Sequence, residues 1–405
     1  VFACKSVLVV GVIALVVAGC SSAETADGPV VEGSGTARPG SDLAAEDGST
    51  EVEGPEPRLV VADADSGRIE VLDLATEGTL ASFEFDEASR ITTINGRYVI
   101  ATGAHQAHVV DPGSWTIDHG DHSHSYVKDP VAIGTLDGDE PAHVIAGDRK
   151  VAVFFDGTGT VDVVDFDSLS KGESAIATTF DADPHHGIAV PLSDHFVVST
   201  GGTEEGLPDG LELRDGAGEL VRALDVQCPE MHGEAVFSNY FLVACRDGVL
   251  KVDAAQNFST TIWPYPTPGK RAWAFEQAPK GALVASSTER GVLVLDSRSG
   301  EWVRANTADE SLASGVSRDG KTVFSVQADG TFRTFDAATG AELSSTPVLD
   351  GRNDVVPAIV VGGTRAYVSD PAAKTVTEID YRDGGRVART FDFDFSPASI
   401  AVVGA

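Results

Sequence analysis

A short apolar strand that ends in aspartate recurs eight times along this chain: Ile69 to Asp73, Ala107 to Asp111, Val161 to Asp165, Leu211 to Asp215, Val249 to Asp253, Val292 to Asp296, Thr331 to Asp336 and Val376 to Asp380. Most copies run directly into small residues, as in Ser297-Arg298-Ser299-Gly300 and Ala337-Ala338-Thr339-Gly340. Asp suits that place because its carboxylate bonds the backbone just ahead of it, and Gly accepts positive φ. Each copy is therefore expected to end at a hairpin. The aspartates stand 38 to 54 residues apart, with most intervals near 40. A second strand precedes most copies, for example Gly147 to Phe155 and Lys321 to Val326. Four short strands per 40–50 residues mark a propeller blade. The expected fold is all-β, a β-propeller of eight blades, or seven if one hairpin is decoration. Pro397 to Val403 reads as an innermost strand without a partner, while Arg58 to Asp73 supplies second and third strands without a first. Joining them in one blade closes the ring and removes an open edge.

Ahead of the repeats, residues 1–19 read as a signal peptide. Lys5 precedes an apolar run from Val7 to Ala18, too short for the ~20 residues that span a bilayer. Val17-Ala18-Gly19-Cys20 resembles a bacterial lipobox, with Cys20 as the acylated residue. Residues 20–56 are mostly Gly, Ser, Ala, Glu, Asp and Pro, which cannot bury enough surface to offset ordering, so a disordered tether is predicted. Residues 57–405 form the propeller, and the expected location is the outer face of the cell membrane, exported and lipid-anchored. The net charge of −33, with 62 acidic and 29 basic residues, excludes nucleic acid as a partner. The acids are spread along the chain and read as a solvated surface. In an exported chain Cys228 and Cys245 are expected to form a disulfide, with thiolate ligation of a metal as the competing reading.

All ten histidines fall between His105 and His232. Three occupy one place in consecutive repeats: Ala142-His143-Val144, His185-His186-Gly187 and Met231-His232-Gly233, spaced by 43 and 46 residues. That place is the start of the innermost strand, so His143, His186 and His232 are expected to meet at the mouth of the central channel. The loop Asp118-His119-Gly120-Asp121-His122-Ser123-His124 is assigned to the same face, on the expectation that the strand beginning near Trp115 is the outer strand of its blade. His105, in the turn after Tyr98 to Thr102, is placed on the same rim. Imidazole suits zinc, which takes four ligands in a tetrahedron. The candidate metal ligands are His122, His124, His186, His143, His232, His105, His119, His185 and Asp121. Hydrogen-bonded channel histidines and a solvated polar loop are the alternatives. His195 is placed in a turn on the opposite face and His108 inside a strand, both structural.

The stretches His119 to His124, Pro184-His185-His186-Gly187-Ile188-Ala189-Val190, Cys228-Pro229-Glu230-Met231-His232-Gly233-Glu234 and Phe154-Phe155-Asp156-Gly157-Thr158-Gly159 together resemble the AztD-type zinc metallochaperone family. The resemblance runs from about Pro57 to the end. The chain is expected to be a monomer and not an enzyme, and the resemblance implies a zinc carrier that hands its ion to the solute-binding protein of a zinc ABC importer. It also implies zinc ligation by His122, His124 and His186 first, with His143 and His232 next. Two other readings remain open. One is a metal-dependent hydrolase or lactonase with Glu234 as general base, although Glu234 reads equally as a group that orients a histidine. The other is a protein-binding propeller that needs no metal.

Overall fold

The computed structural model describes residues 46–405 apart from 47, 64, 87, 89, 203–205, 268–269, 279 and 351–355. The predicted signal peptide, Cys20 and the predicted tether up to residue 45 lie outside the described residues. The repeat forms eight four-stranded antiparallel sheets, the blades of the propeller. In the third blade the order from the axis outward is Pro141–Gly147, Lys150–Phe155, Thr160–Asp165 and Ile176–Asp181. Every Asp-ended segment is the third strand of its blade. The carboxylates act as the turn chemistry requires: Asp73 Oδ1 accepts from the N–H groups of Ala75 and Thr76 at 2.6 and 3.0 Å, and Asp296 Oδ1 from Arg298 at 2.8 Å.

Second strands are buried along nearly their whole length because neighbouring blades cover both their faces, which is why they read as unbroken apolar runs. The core is thus a series of inter-blade layers, such as Ile100, Val109, Val151, Val153 and Phe155. The ring closes as expected. Pro397–Val403 pairs with Arg58–Asp63, with Val403 opposite Arg58 and Ser399 opposite Ala62.

Strand direction defines two faces. The start of each inner strand shares one face with the connections between blades, here the connection face. The turns between inner and second strands, and the Asp turns, share the other, here the turn face. The second blade departs from the pattern. Its third strand, Gln106–Asp111, ends on the turn face and is followed by an inserted hairpin, Ser114–Asp118 and Ser123–Val127. Only then does the chain return as the outer strand, Val131–Asp137, paired with Gln106–Asp111. The strand beginning near Trp115 is therefore not the outer strand of its blade, and the insertion accounts for the long interval from Asp111 to Asp165.

A second correction concerns the tether. Thr50–Val52, inside the stretch expected to be disordered, forms the third strand of the hairpin sheet, with Thr50 opposite Val127 and Val52 opposite Ser125. Charge, not apolar bulk, holds this segment. The guanidinium of Arg97, wholly buried, donates to both oxygens of Glu46 at 2.7 Å and to Asp111 Oδ2 at 2.7 Å, and Lys128 Nζ reaches Glu46 at 3.0 Å and Asp111 at 2.8 Å. Arg97 also lies 3.7 Å from the ring centre of Trp115. A buried cation requires such partners, and a composition argument built on apolar content does not register them.

Candidate metal centres

On the connection face the three repeat-related histidines converge. His143 is on the inner strand of the third blade, His232 begins that of the fifth, and His186 stands in the loop entering the fourth. Their ring centres are 4.8 Å (His143–His186), 5.2 Å (His186–His232) and 5.7 Å (His143–His232) apart. One ligand atom from each lies within 4.8 Å of the others, and the Nε2 atoms of His143 and His186 are 3.1 Å apart. Ligand nitrogens of a tetrahedral zinc stand roughly 3.3 Å apart, given Zn–N of about 2.0–2.1 Å.

Each Nδ1 faces an acceptor. His186 Nδ1 meets Asp156 Oδ2 at 2.5 Å, His232 Nδ1 meets the Trp273 carbonyl at 2.6 Å, and His143 Nδ1 meets Glu234 at 3.3 Å. Carboxylates and carbonyls only accept, so the Nδ1 atoms donate and the Nε2 lone pairs are left facing the shared space. This is the outer-shell pattern that orients metal-binding imidazoles. Burial opposes charging of His143, but the Glu234 carboxylate outweighs it and raises the His143 pKa. Burial also opposes ionisation of Glu234, and the His143 ring outweighs it and lowers the Glu234 pKa. His232 is lowered by burial, with the neighbouring imidazoles His143 and His186 adding to the effect. Three imidazoles this close cannot all carry protons, and one divalent ion suits them better.

Backbone shape around His232 is specific. Gly233 is a bulge residue at φ +76°, and a Cβ there would stand 2.4 Å from the Trp273 carbonyl oxygen that holds His232. The disulfide between Cys228 and Cys245 closes the hairpin that carries His232, with Cα atoms 4.9 Å apart. Both cysteines are committed to it, so neither is a thiolate ligand.

The loop histidines lie on the opposite face, a correction to the expectation of one shared rim. The inserted hairpin leaves from the turn face, and Lys280, in the turn between inner and second strands of the sixth blade, bonds its Asp118 at 2.5 Å. An inner strand of about six residues separates the two faces by roughly 20 Å. His119, His122 and His124 form a second trio, with ring centres 5.0 to 5.4 Å apart and ligand atoms again within 4.8 Å. Asp121 accepts from His122 Nδ1 at 2.8 Å, which puts it behind the ring, and Glu51 accepts from His124 Nδ1 at 2.6 Å. A cavity of about 810 Å³ is lined by His122 of the hairpin together with Lys280, Arg318 and Arg382.

Besides Asp121, two candidate histidines join neither trio. His105 is on the connection face but pairs with Asp139 at 2.8 Å, and His185 uses both nitrogens on the Asp183 carbonyl and Ser199 Oγ. His108 is buried in its strand and stacks on Phe85. Sequence reasoning did not single out Asp156, Trp273 or Glu51 as site residues. Asp156 lies inside one of the family-like stretches. Glu51 is flanked by the β-branched Thr50 and Val52, a faint strand signal, and a backbone carbonyl such as that of Trp273 leaves none.

The molecule is an eight-bladed propeller with a trio of histidines on each face, each trio a candidate metal site. Its similarity to known proteins is more particular. The chain is 25% identical over 347 residues to zinc chaperone AztD of Citrobacter koseri, covering 80% of this chain and 81% of that protein. Two crystal structures of Citrobacter koseri AztD, one of them apo, superpose with TM-scores of 0.78 and 0.77 at 22% identity, over 87% of this chain and 98% and 99% of theirs. The resemblance to AztD therefore holds in sequence and in fold. No protein-family model matches the chain.

Proposed function

We propose that this chain is an extracytoplasmic zinc metallochaperone. It carries zinc as cargo and delivers it to the solute-binding protein of a zinc ABC importer, acting as a monomer anchored through Cys20 to the outer face of the membrane. The observation that carries the proposal is the convergence of His143, His186 and His232, each fixed through Nδ1 so that Nε2 faces one point. Neutral imidazoles in that number suit zinc over magnesium or calcium, which prefer oxygen. The similarity to the zinc chaperone AztD supports the same reading. Three protein ligands leave a fourth position open to an acceptor's ligand, as hand-over requires. The hairpin trio is a second, exposed zinc site.

The hydrolase reading has less support. Glu234, its candidate base, is engaged by His143 and serves as an orienting carboxylate. Zinc retained per protein after dialysis, measured by elemental analysis, tests the proposal. About one ion or more is expected in the unaltered protein, with a clear loss in His186→Ala. A value near zero in the unaltered protein, unchanged by the substitution, overturns it. Delivery is tested by mixing zinc-loaded protein with the metal-free solute-binding protein and following where the zinc resides.

A further inference from the structure

Glu51 sits beside the hairpin histidines although it belongs to a segment 73 positions upstream of His124. Three independent contacts bring it there. Glu46 clamps onto Arg97 and Lys128, the Thr50–Val52 ladder pairs with Ser123–Val127, and Glu51 itself bonds His124 Nδ1. The hairpin on its own supplies three imidazoles, and the docked strand supplies the acceptor that engages His124 Nδ1 and so leaves Nε2 as the ligand atom.

We infer that docking of the Thr50–Val52 strand and divalent-metal binding at His119, His122 and His124 are linked, with Glu51 as the positioning residue that joins them. The inference rests on the hairpin trio being a metal site and does not depend on the connection-face trio. An ion at Nε2 strengthens the Nδ1–H bond to Glu51, and the docked Glu51 makes Nε2 a better donor. By reciprocity the factor by which docking tightens metal binding is the factor by which metal tightens docking. Loss of an outer-shell partner weakens metal affinity about 10- to 100-fold, so zinc should favour the docked strand by about the same factor. The segment leading toward the predicted membrane anchor thereby reports occupancy of the turn face.

Amide hydrogen exchange on the full chain, with and without zinc, tests this. In the unaltered protein, amides in 50–52 and 123–127 should exchange at least about tenfold more slowly with zinc bound. The paired substitutions His122→Ala and His124→Ala, which remove one exposed and one half-buried ring but no backbone pairing group, should abolish that slowing. Glu51→Gln keeps the strand and an acceptor but not the charge. The ladder and the Glu46 clamp should keep the strand paired in the metal-free Glu51→Gln protein, while most of the zinc response is lost, which a purely structural role for Glu51 would not produce. Zinc-dependent protection around 228–236, without any at 50–52, overturns the linkage and leaves the carrier proposal standing. Persistence of the 50–52 response in the His122→Ala, His124→Ala protein also overturns it.

Discussion

Asp156→Asn isolates what the outer carboxylates do for zinc. The change keeps the size of the side chain and an acceptor oxygen but removes the charge 2.5 Å from His186 Nδ1. Zinc held by His186 Nε2 at about 2.0–2.1 Å would lie roughly 6.5 Å from that carboxylate, across the imidazole ring. A single negative charge and a dipositive ion at that distance attract by about 1.3 kcal/mol at the dielectric of water and about 5 kcal/mol at an effective dielectric of 20. His186 is half-buried, which favours the lower part of that range. Outer-shell losses of 10- to 100-fold correspond to about 1.4–2.7 kcal/mol and fall in the same interval. Asp156→Asn should therefore raise the zinc dissociation constant by about 10- to 100-fold. A competition titration against a zinc-sensitive chelating dye reads this directly, with His186→Ala as the deletion of the ligand itself. If Asp156→Asn binds within twofold of the unaltered protein while His186→Ala is severely weakened, the electrostatic reasoning is wrong. If both bind normally, the connection-face trio is not the site.

Other consequences follow from neighbouring geometry. Gly233→Ala puts a Cβ against the Trp273 carbonyl and costs about 1–2 kcal/mol for its left-handed backbone alone, so the same titration should show weakened zinc binding through a displaced His232. Replacing Cys228 and Cys245 by alanine should cost about 3 kcal/mol in urea unfolding on the chain-entropy account, given their separation of 17 residues. Asp111→Asn removes a buried partner of Arg97 and Lys128 and should cost about 3–5 kcal/mol, read the same way. Burial pushes the Asp111 carboxyl up, but Arg97 and Lys128 outweigh it and hold its pKa below the usual value. A lowered folded-state pKa stabilises above the unfolded value of about 3.9 and loses that stabilisation as pH falls through the folded value. Stability of the unaltered protein should thus fall more steeply below about pH 4 than that of Asp111→Asn, and parallel pH profiles would refute the assignment.

The eight Asp-ended strands determined the propeller by themselves, because strand, turn and period are set by residues a few positions apart. Ring closure followed from counting strands at the two ends, and the shared place of His143, His186 and His232 in consecutive repeats already implied that they meet. What only the tertiary structure decided is which face each histidine serves. The hairpin at Ser114–Val127 inverted that assignment, since a single inserted pair of strands moves a loop from one end of the ring to the other without altering its local pattern. Most partners of the rings were equally hidden. Glu234 was legible as a group that orients a histidine, but which ring it serves, 91 residues away, was not, and Asp156 and the Trp273 carbonyl reach their histidines from 30 and 41 residues away. Glu51 comes from a stretch whose composition argued for disorder. Contacts across such separations depend on how blades stack and on where buried charge must be paired, and no local periodicity encodes either.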